Sequence, residues 1–122
     1  MKKEGIKLEY EEVKGIPVYK INFALDDTSS QVLLDYFEKR IKEGEIKIIL
    51  DLKDMEFIST QGLGVIIYLT KTARGLGGDI VLINLSSLAE DIIKEVGLLD
   101  FLTIKYSLLD ALRHFGVKTR PV

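Results

Sequence analysis

The stretch IILDLKDMEFISTQGLG, from Ile48 to Gly64, decides the fold of this chain. It begins as a continuous apolar strand, passes through a short acidic loop and ends in Ser59-Thr60-Gln61-Gly62 at the opening of an apolar helix. The first N–H groups of a helix have no internal acceptor, and the helix dipole adds partial positive charge there. A phosphate on a hydroxyl at this turn would therefore meet hydrogen-bond donors. An ordinary N-cap is the alternative interpretation of the same hydroxyls.

Composition predicts one small domain, residues 1–122, with a core large enough to fold alone. The formal net charge is −2, and Lys and Arg are interspersed among Asp and Glu. Without a basic stripe to neutralise phosphates, binding to DNA or RNA is disfavoured. The sequence contains no cysteine, which excludes disulfides, thiol catalysis and cysteine-ligated metals.

We expect neither an export signal nor a membrane-inserted segment in this sequence. Its longest apolar runs are too short to span a bilayer. The first residues, MKKEGIKLEYEEV, include basic side chains but no apolar segment of the kind that follows them in a signal peptide. We therefore expect a cytoplasmic protein.

The first third of the chain predicts a hairpin and a helix. Alternating segments at Lys7 to Val13 and Val18 to Phe23 flank the turn residues Lys14-Gly15, so both strands are expected at one side of the sheet. Asp26 to Ser30 supplies several N-cap candidates for a helix that Gly44 ends. Its apolar positions recur at helical spacing: Leu33, Leu34, Phe37 and Ile41.

The remaining elements alternate between strand and helix, which predicts a mostly parallel sheet covered by helices. Four or five strands and about four helices are expected, giving a mixed α/β sheet. In chain order they are a strand at Ile46 to Leu50, a helix from Thr60 to about Arg74, a strand at Ile80 to Leu85, a helix with a capping box at Ser87-Leu88-Ala89-Glu90 that Gly97 closes, a strand at Phe101 to Lys105, and a terminal helix capped near Ser107.

The helix after Thr60 carries two apolar stripes. One consists of Leu63, Ile66, Ile67, Thr70 and Ala73, and the other of Val65, Tyr68 and Leu69. The second stripe exceeds what one core contact needs and predicts a partner surface. A helix buried on both sides, between the sheet and a neighbouring helix, is the alternative.

The spacing of residues argues against two further kinds of site, a dinucleotide-binding motif and a phospho-acceptor aspartate site. Gly62-Leu63-Gly64 after a strand would need its third glycine at Ile67 to form a dinucleotide fingerprint. The carboxylates at Asp26-Asp27 and Asp51, together with Lys105, suggest a phospho-acceptor receiver domain, but only one helix separates Asp26 from Asp51. These carboxylates are interpreted as solvated loop residues.

No enzyme is predicted, and neither a metal nor another cofactor. The single histidine, His114, lies in the terminal helix, far along the chain from the Ser/Thr loop, and no cysteine is present to act as a nucleophile. His114 is expected at the surface.

At EFISTQGLGVI the chain resembles the STAS domains, the family of bacterial anti-sigma factor antagonists, whose pattern reads aromatic, aliphatic, Asp, Ser, Ser/Thr, Gly, Leu, Gly. Three further segments extend the resemblance over nearly the whole chain: PVYKINFALD, GGDIVLINLSSLAEDIIKEVGLLDFLTI and YSLLDALRHF. The chain departs from the pattern where Ser59 replaces the usual Asp and Gln61 replaces a small hydroxyl residue.

The resemblance implies that Thr60 is the phosphorylated hydroxyl, with Ser59 as the alternative. It also implies that Asp26 matches the family's acidic residue near the phosphorylation loop, although an N-cap role is equally open. Because the family docks its kinase at this helix start, we expect a partner-binding set that includes the second stripe. Its members are Asp26, Ser59, Thr60, Gln61, Gly62, Leu63, Val65, Tyr68 and Leu69.

The implied function is partner switching. The unphosphorylated domain, monomeric when free, would bind an anti-sigma factor that is also a serine/threonine kinase, and the phosphorylated domain would release it until a phosphatase acts. The alternatives are a non-catalytic STAS subunit of an ABC-type transporter or lipid-trafficking complex, and a small-molecule sensor module.

Overall fold

Ten elements build the domain in the computed structural model, which describes residues 2–3 and 6–118. The predicted domain bounds 1–122 extend over Met1, residues 4–5 and residues 119–122, which lie outside the described residues. The elements are β1 (Lys2–Lys3), β2 (Ile6–Val13), β3 (Ile16–Ile21), α1 (Asp27–Lys42), β4 (Lys47–Asp51), α2 (Thr60–Gly75), β5 (Asp79–Ile83), α3 (Ser87–Glu95), β6 (Thr103–Lys105) and α4 (Leu108–His114).

The strands form one mixed sheet in the order of the sequence, β1 to β6. β1, β2 and β3 pair antiparallel, and β3 to β6 pair parallel. The predicted hairpin is confirmed: β2 and β3 join through Lys14 and Gly15, whose φ angles of 50° and 84° suit a tight two-residue turn. Five main strands, a two-residue edge strand and four helices within the described ranges confirm the predicted α/β class.

The helices cover the two faces of the sheet unequally. Because each parallel strand is laid beside the previous one in the same direction, right-handed crossovers place successive helices on one face. Apolar side chains of α1, α2 and α3 accordingly share one core with Ile48 and Leu50 of β4. The other face packs a smaller cluster, in which Ile49 meets Ala111 and Leu112 of α4. Successive side chains of β4 point to opposite faces of the sheet, so this strand contributes residues to both cores.

Several predicted boundaries need correction. The helix after β5 is capped by Ser86, whose hydroxyl accepts from the N–H of Ala89 at 3.1 Å, and the predicted capping box at Ser87 is therefore wrong by one residue. The last strand is shorter than predicted because the N–H of Phe101 already donates to the carbonyl of Leu98 in a turn.

Candidate functional site

Leu25 joins the two loops that open α1 and α2. Its N–H donates to the carbonyl of Phe57 at 2.8 Å, and its carbonyl accepts from the N–H of Ser59 at 2.8 Å, so that it pairs with Ile58 as an isolated parallel bridge. The Leu25 side chain is fully buried. The bridge therefore sets the N-termini of α1 and α2 side by side at the carboxyl end of the sheet.

Asp26, the residue after the bridge, caps α1. Its carboxylate accepts from the N–H of Ser29 at 2.9 Å and from the Ser29 hydroxyl at 3.0 Å, and its own N–H donates to that hydroxyl at 2.9 Å. The hydrogen bonds from Ser29 lower the pKa of Asp26, which keeps this exposed carboxylate ionised. The N-cap interpretation is confirmed, and a role for Asp26 in partner binding stays a prediction.

The two hydroxyls of the loop differ in hydrogen bonding and in exposure. Ser59 is the N-cap of α2, and its Oγ accepts from the N–H of Gly62 at 3.0 Å. Thr60 is the first residue of the helix and its side chain is exposed. The N–H groups of Thr60 and Gln61 have no acceptor in the described part of the chain. An exposed hydroxyl thus lies beside unfilled donors at the positive end of the helix dipole.

Gln61 and Gly62 complete the contact between the two helix starts. The Gln61 amide lies 3.5 Å from the carbonyl oxygen of Asp27 in α1. A Cβ at position 62 would stand 2.8 Å from the Leu25 Cγ and 2.9 Å from its carbonyl oxygen. Only glycine fits there without a shift of Leu25, so the α1 and α2 starts can approach closely.

The apolar surface of α2 differs from the prediction. Gly62, Leu63, Val65 and Leu69 are buried, and Val65 and Leu69 belong to the same core as Leu33 and Phe37 of α1. The expectation that Leu63, Val65 and Leu69 offer side chains to a partner is corrected, because α1 and the sheet already cover them. The alternative of a helix buried on both sides holds for these positions.

Tyr68 is the one member of the second stripe that remains at the surface, with 44% of it exposed. Its hydroxyl donates to the carboxylate of Glu38 in α1, and that hydrogen bond raises the pKa of Tyr68. Thr60, Gly64 and Tyr68 are all exposed and lie four residues apart. They define an exposed line along α2, here named the α2 ridge.

Two exposed apolar residues near the loop were missed. Phe57 and Leu88 are 54% and 64% exposed and line a shallow groove with Ile58 and Ile92, between the loop and α3. An aromatic residue just before the buried Ile58 was the available signal for Phe57. Nothing in the sequence indicated that Leu88 would stand next to it.

His114 is exposed, as expected, and its side chain also pairs with a residue far along the chain. Its Nε2 lies 2.9 Å from Asp79 Oδ2, at the opposite end of the sheet from Thr60. Asp79 also accepts from Arg74 Nε at 2.9 Å, the Thr103 hydroxyl at 2.7 Å and the N–H of Ile80 at 2.9 Å. Burial alone would raise the pKa of Asp79, but the hydrogen bonds from Thr103, Arg74 and His114 outweigh it and lower that pKa. We call Asp79 and its three side-chain partners the Asp79 cluster.

Residues 2–3 and 6–118 contain no group of three or more His, Cys, Asp or Glu side chains placed to hold a metal ion. None of the helices in the same ranges has the length and apolar character needed to cross a membrane.

The chain belongs to the STAS domain family, whose model matches residues 7–111. The anti-sigma F factor antagonist of Paenibacillus polymyxa is 23% identical to it over 114 residues, covering 93% of this chain and 97% of that protein.

Solved structures share the fold. A Thermotoga maritima protein described as a candidate anti-sigma factor antagonist superposes with a TM-score of 0.84 at 22% identity, covering 90% of this chain and 95% of the other. The anti-sigma factor antagonist SpoIIAA in its unphosphorylated form gives a TM-score of 0.76 at 16% identity, covering 93% and 100%. SpoIIAA in its phosphorylated form gives 0.69 at 16% identity, covering 89% and 99%.

Proposed function

We propose that this protein is an anti-sigma factor antagonist that binds an anti-sigma factor with serine/threonine kinase activity and is released by phosphorylation of Thr60. The observation that carries the proposal is the difference between the two loop hydroxyls. Ser59 Oγ is engaged by the N–H of Gly62, whereas the Thr60 side chain is exposed at the helix start. The anti-sigma antagonist names of the Paenibacillus relative and of SpoIIAA support the class of partner.

The binding surface that we propose combines the exposed members of the predicted set with the groove beside them. Asp26, Thr60 and Gln61 lie at its centre, and the α2 ridge continues it to Tyr68. Phe57 and Leu88 add the exposed apolar area that a protein interface uses at its core. These two residues replace Val65 and Leu69 as the apolar part of the surface.

Phosphate on Thr60 would leave the domain folded and weaken the complex. Within the domain it would meet the free N–H groups of Thr60 and Gln61, which favour negative charge. It would also stand near the Asp26 carboxylate, across the Leu25 bridge. Added negative charge that the partner does not neutralise costs binding free energy when the interface closes over it. A phosphatase would restore the binding form.

Incubation with the cognate kinase and ATP, followed by mass spectrometry, tests the modification. The expected result is one phosphate on Thr60 and none on a Thr60→Val variant. Phosphate on Ser59 would contradict the assignment of the two hydroxyls. No phosphate in the presence of an active cognate kinase would favour a scaffold role in a larger complex.

Titration calorimetry with the anti-sigma factor tests the switch. Thr60→Glu should weaken binding by tenfold or more, about 1.4 kcal/mol, while the melting temperature stays within about 3 °C of the wild type. Thr72→Glu is the control, because it makes the same replacement about 18 Å further along α2. Equal affinity of wild type and Thr60→Glu would refute the electrostatic release.

A further inference from the structure

A half-open cleft of about 290 Å³ lies on the sheet face that carries α4. It is at the carboxyl ends of β3, β4 and β5, beside the start of α4. Apolar side chains from Val18, Ile83 and Leu108 line it together with charged side chains from β2, β3 and β4. The surface proposed for the anti-sigma factor is on the opposite face of the sheet, so that surface leaves the cleft without an assigned ligand.

The register of the sheet places the charges of the cleft on one face. Lys20 of β3 stands opposite Glu9 of β2 and opposite Asp51 of β4, and Glu11 stands opposite Val18. Directly opposed residues of neighbouring strands point to the same side of a sheet. One ammonium group and three carboxylates therefore border the apolar floor.

Two of these carboxylates already have partners. Asp51 Oδ1 accepts from the N–H of Lys53 and from the Asn84 amide, each at 3.1 Å. Glu9 accepts from the Asn22 amide at 2.6 Å.

The other two charges in the cleft have none. The side chains of Glu11 and the half-buried Lys20 form no hydrogen bond or ion pair within residues 8–118, the range whose side chains the structure describes. One cation and one anion thus remain available at the border of an apolar cleft.

We propose that this cleft binds a small zwitterion with an apolar group, the chemistry of the neutral α-amino acids. Lys20 takes the carboxylate, Glu11 takes the ammonium group, and the floor of Val18, Ile83 and Leu108 takes the apolar side chain. The volume is at the small end of the range for ligand sites and suits a molecule of this size. The site stands on its own residues and does not depend on the function proposed for Thr60.

A matched trio of probes tests the ligand class by NMR titration of the labelled protein. L-phenylalanine carries both charges, phenethylamine lacks the carboxylate and 3-phenylpropanoate lacks the ammonium group. L-phenylalanine should give saturable shifts at the amides of Val18, Lys20 and Ile83, and each analogue should bind at least about tenfold more weakly. Equal binding of either analogue, or no saturable shift with L-phenylalanine up to about 10 mM, overturns the proposal.

Three variants test the residues. Lys20→Met and Glu11→Gln should each weaken L-phenylalanine binding by about tenfold or more. Glu12→Gln is the matched control, because Glu12 is the next residue of β2 and points to the opposite face. Its affinity should equal that of the wild type. Unchanged affinity in Lys20→Met or Glu11→Gln, or an equal loss in Glu12→Gln, contradicts the assignment.

Discussion

The two ends of α2 use polar side chains in opposite ways. At its start, Thr60 is exposed, and the neighbouring N–H groups have no acceptor in the described chain. Beyond its end, Asp79 is 9% exposed and is held by Arg74, Thr103 and His114. Polar groups that satisfy one another inside the fold stabilise it, whereas groups left unsatisfied at the surface are available to another molecule. We therefore expect the Asp79 cluster to stabilise the domain, and we propose that the Thr60 end binds the partner.

Asp79→Ala should have the largest effect on stability. It removes the common acceptor of the Asp79 cluster, and we expect the free energy of unfolding to fall by about 3 kcal/mol. Urea denaturation followed by circular dichroism measures the loss. Asp110→Ala is the control, since its ion pair with Arg113 is exposed and should change stability by about 0.5 kcal/mol or less.

The same Asp79→Ala protein, below its unfolding transition, should be phosphorylated on Thr60 to the extent that we propose for the wild type. A loss of phosphorylation in the folded variant would show that the Asp79 cluster and the Thr60 end are not independent.

Gly62→Ala should have the next largest effect, because the added Cβ would stand 2.8 Å from the Leu25 Cγ. We expect a loss of about 2 kcal/mol, with the strain concentrated at the bridge between the two helix starts. Gly64→Ala is a close control: it lies in the same helix, and a Cβ there meets nothing within 4 Å. That variant should gain about 0.5 to 1 kcal/mol from helix propensity. If Gly62→Ala and Gly64→Ala both gain stability or both lose it, the close approach of position 62 to Leu25 does not determine the effect of the added Cβ.

Ser59→Ala should cost about 1 kcal/mol, the usual contribution of an N-cap hydroxyl. Ser86→Ala in α3 removes the same kind of bond, an Oγ that accepts from the N–H three residues on, and should cost a similar amount. Chemical denaturation of both variants gives the comparison. A much larger loss for Ser59→Ala would mean that Ser59 does more than cap its helix.

The smallest effect should be a change in how folding stability depends on acidic pH. Because the hydrogen bonds of its cluster lower the pKa of Asp79, its contribution to stability is present above the unfolded pKa and is lost as the pH falls through the folded one. Between about pH 5 and about pH 2, Asp79→Asn should therefore lose less stability than the wild type. The pKa of Asp26 is also lowered, but that carboxylate is exposed, so Asp26→Asn should change the acid dependence less. The reverse order would contradict the comparison of the two ends.

The sequence predicted the elements well because their signals are local. Gly15 and Lys14 mark the hairpin turn, Asp26 caps α1, and Ser107 caps α4 by accepting from the N–H of Asp110. The parallel pairing of β3 to β6 followed from the alternation of strand and helix. The apolar run of β4 was predicted one residue early, since Ile46 and Asp51 have no local signal that separates strand from loop.

The errors concern contacts between distant segments. A second apolar stripe on α2 fits a partner and fits α1 equally well, so periodicity could not show that Val65 and Leu69 are covered by the domain itself. The pairing of His114 with Asp79 joins residues 35 positions apart and depends on the path of α4 back across the sheet. The groove between Phe57 and Leu88 depends on the placement of α3 in the same way.

The Leu25 bridge has a consequence for the order in which the molecule is made. Leu25 must meet Phe57 and Ser59, more than thirty positions later, before the Asp26 and Thr60 loops are neighbours. A chain emerging from the ribosome therefore lacks the proposed binding surface until β4 and its loop have been synthesised and closed against α1. A synthetic peptide from Ile48 to Gly64 would likewise contain the Thr60 loop, but without the tertiary contacts that hold it beside Asp26.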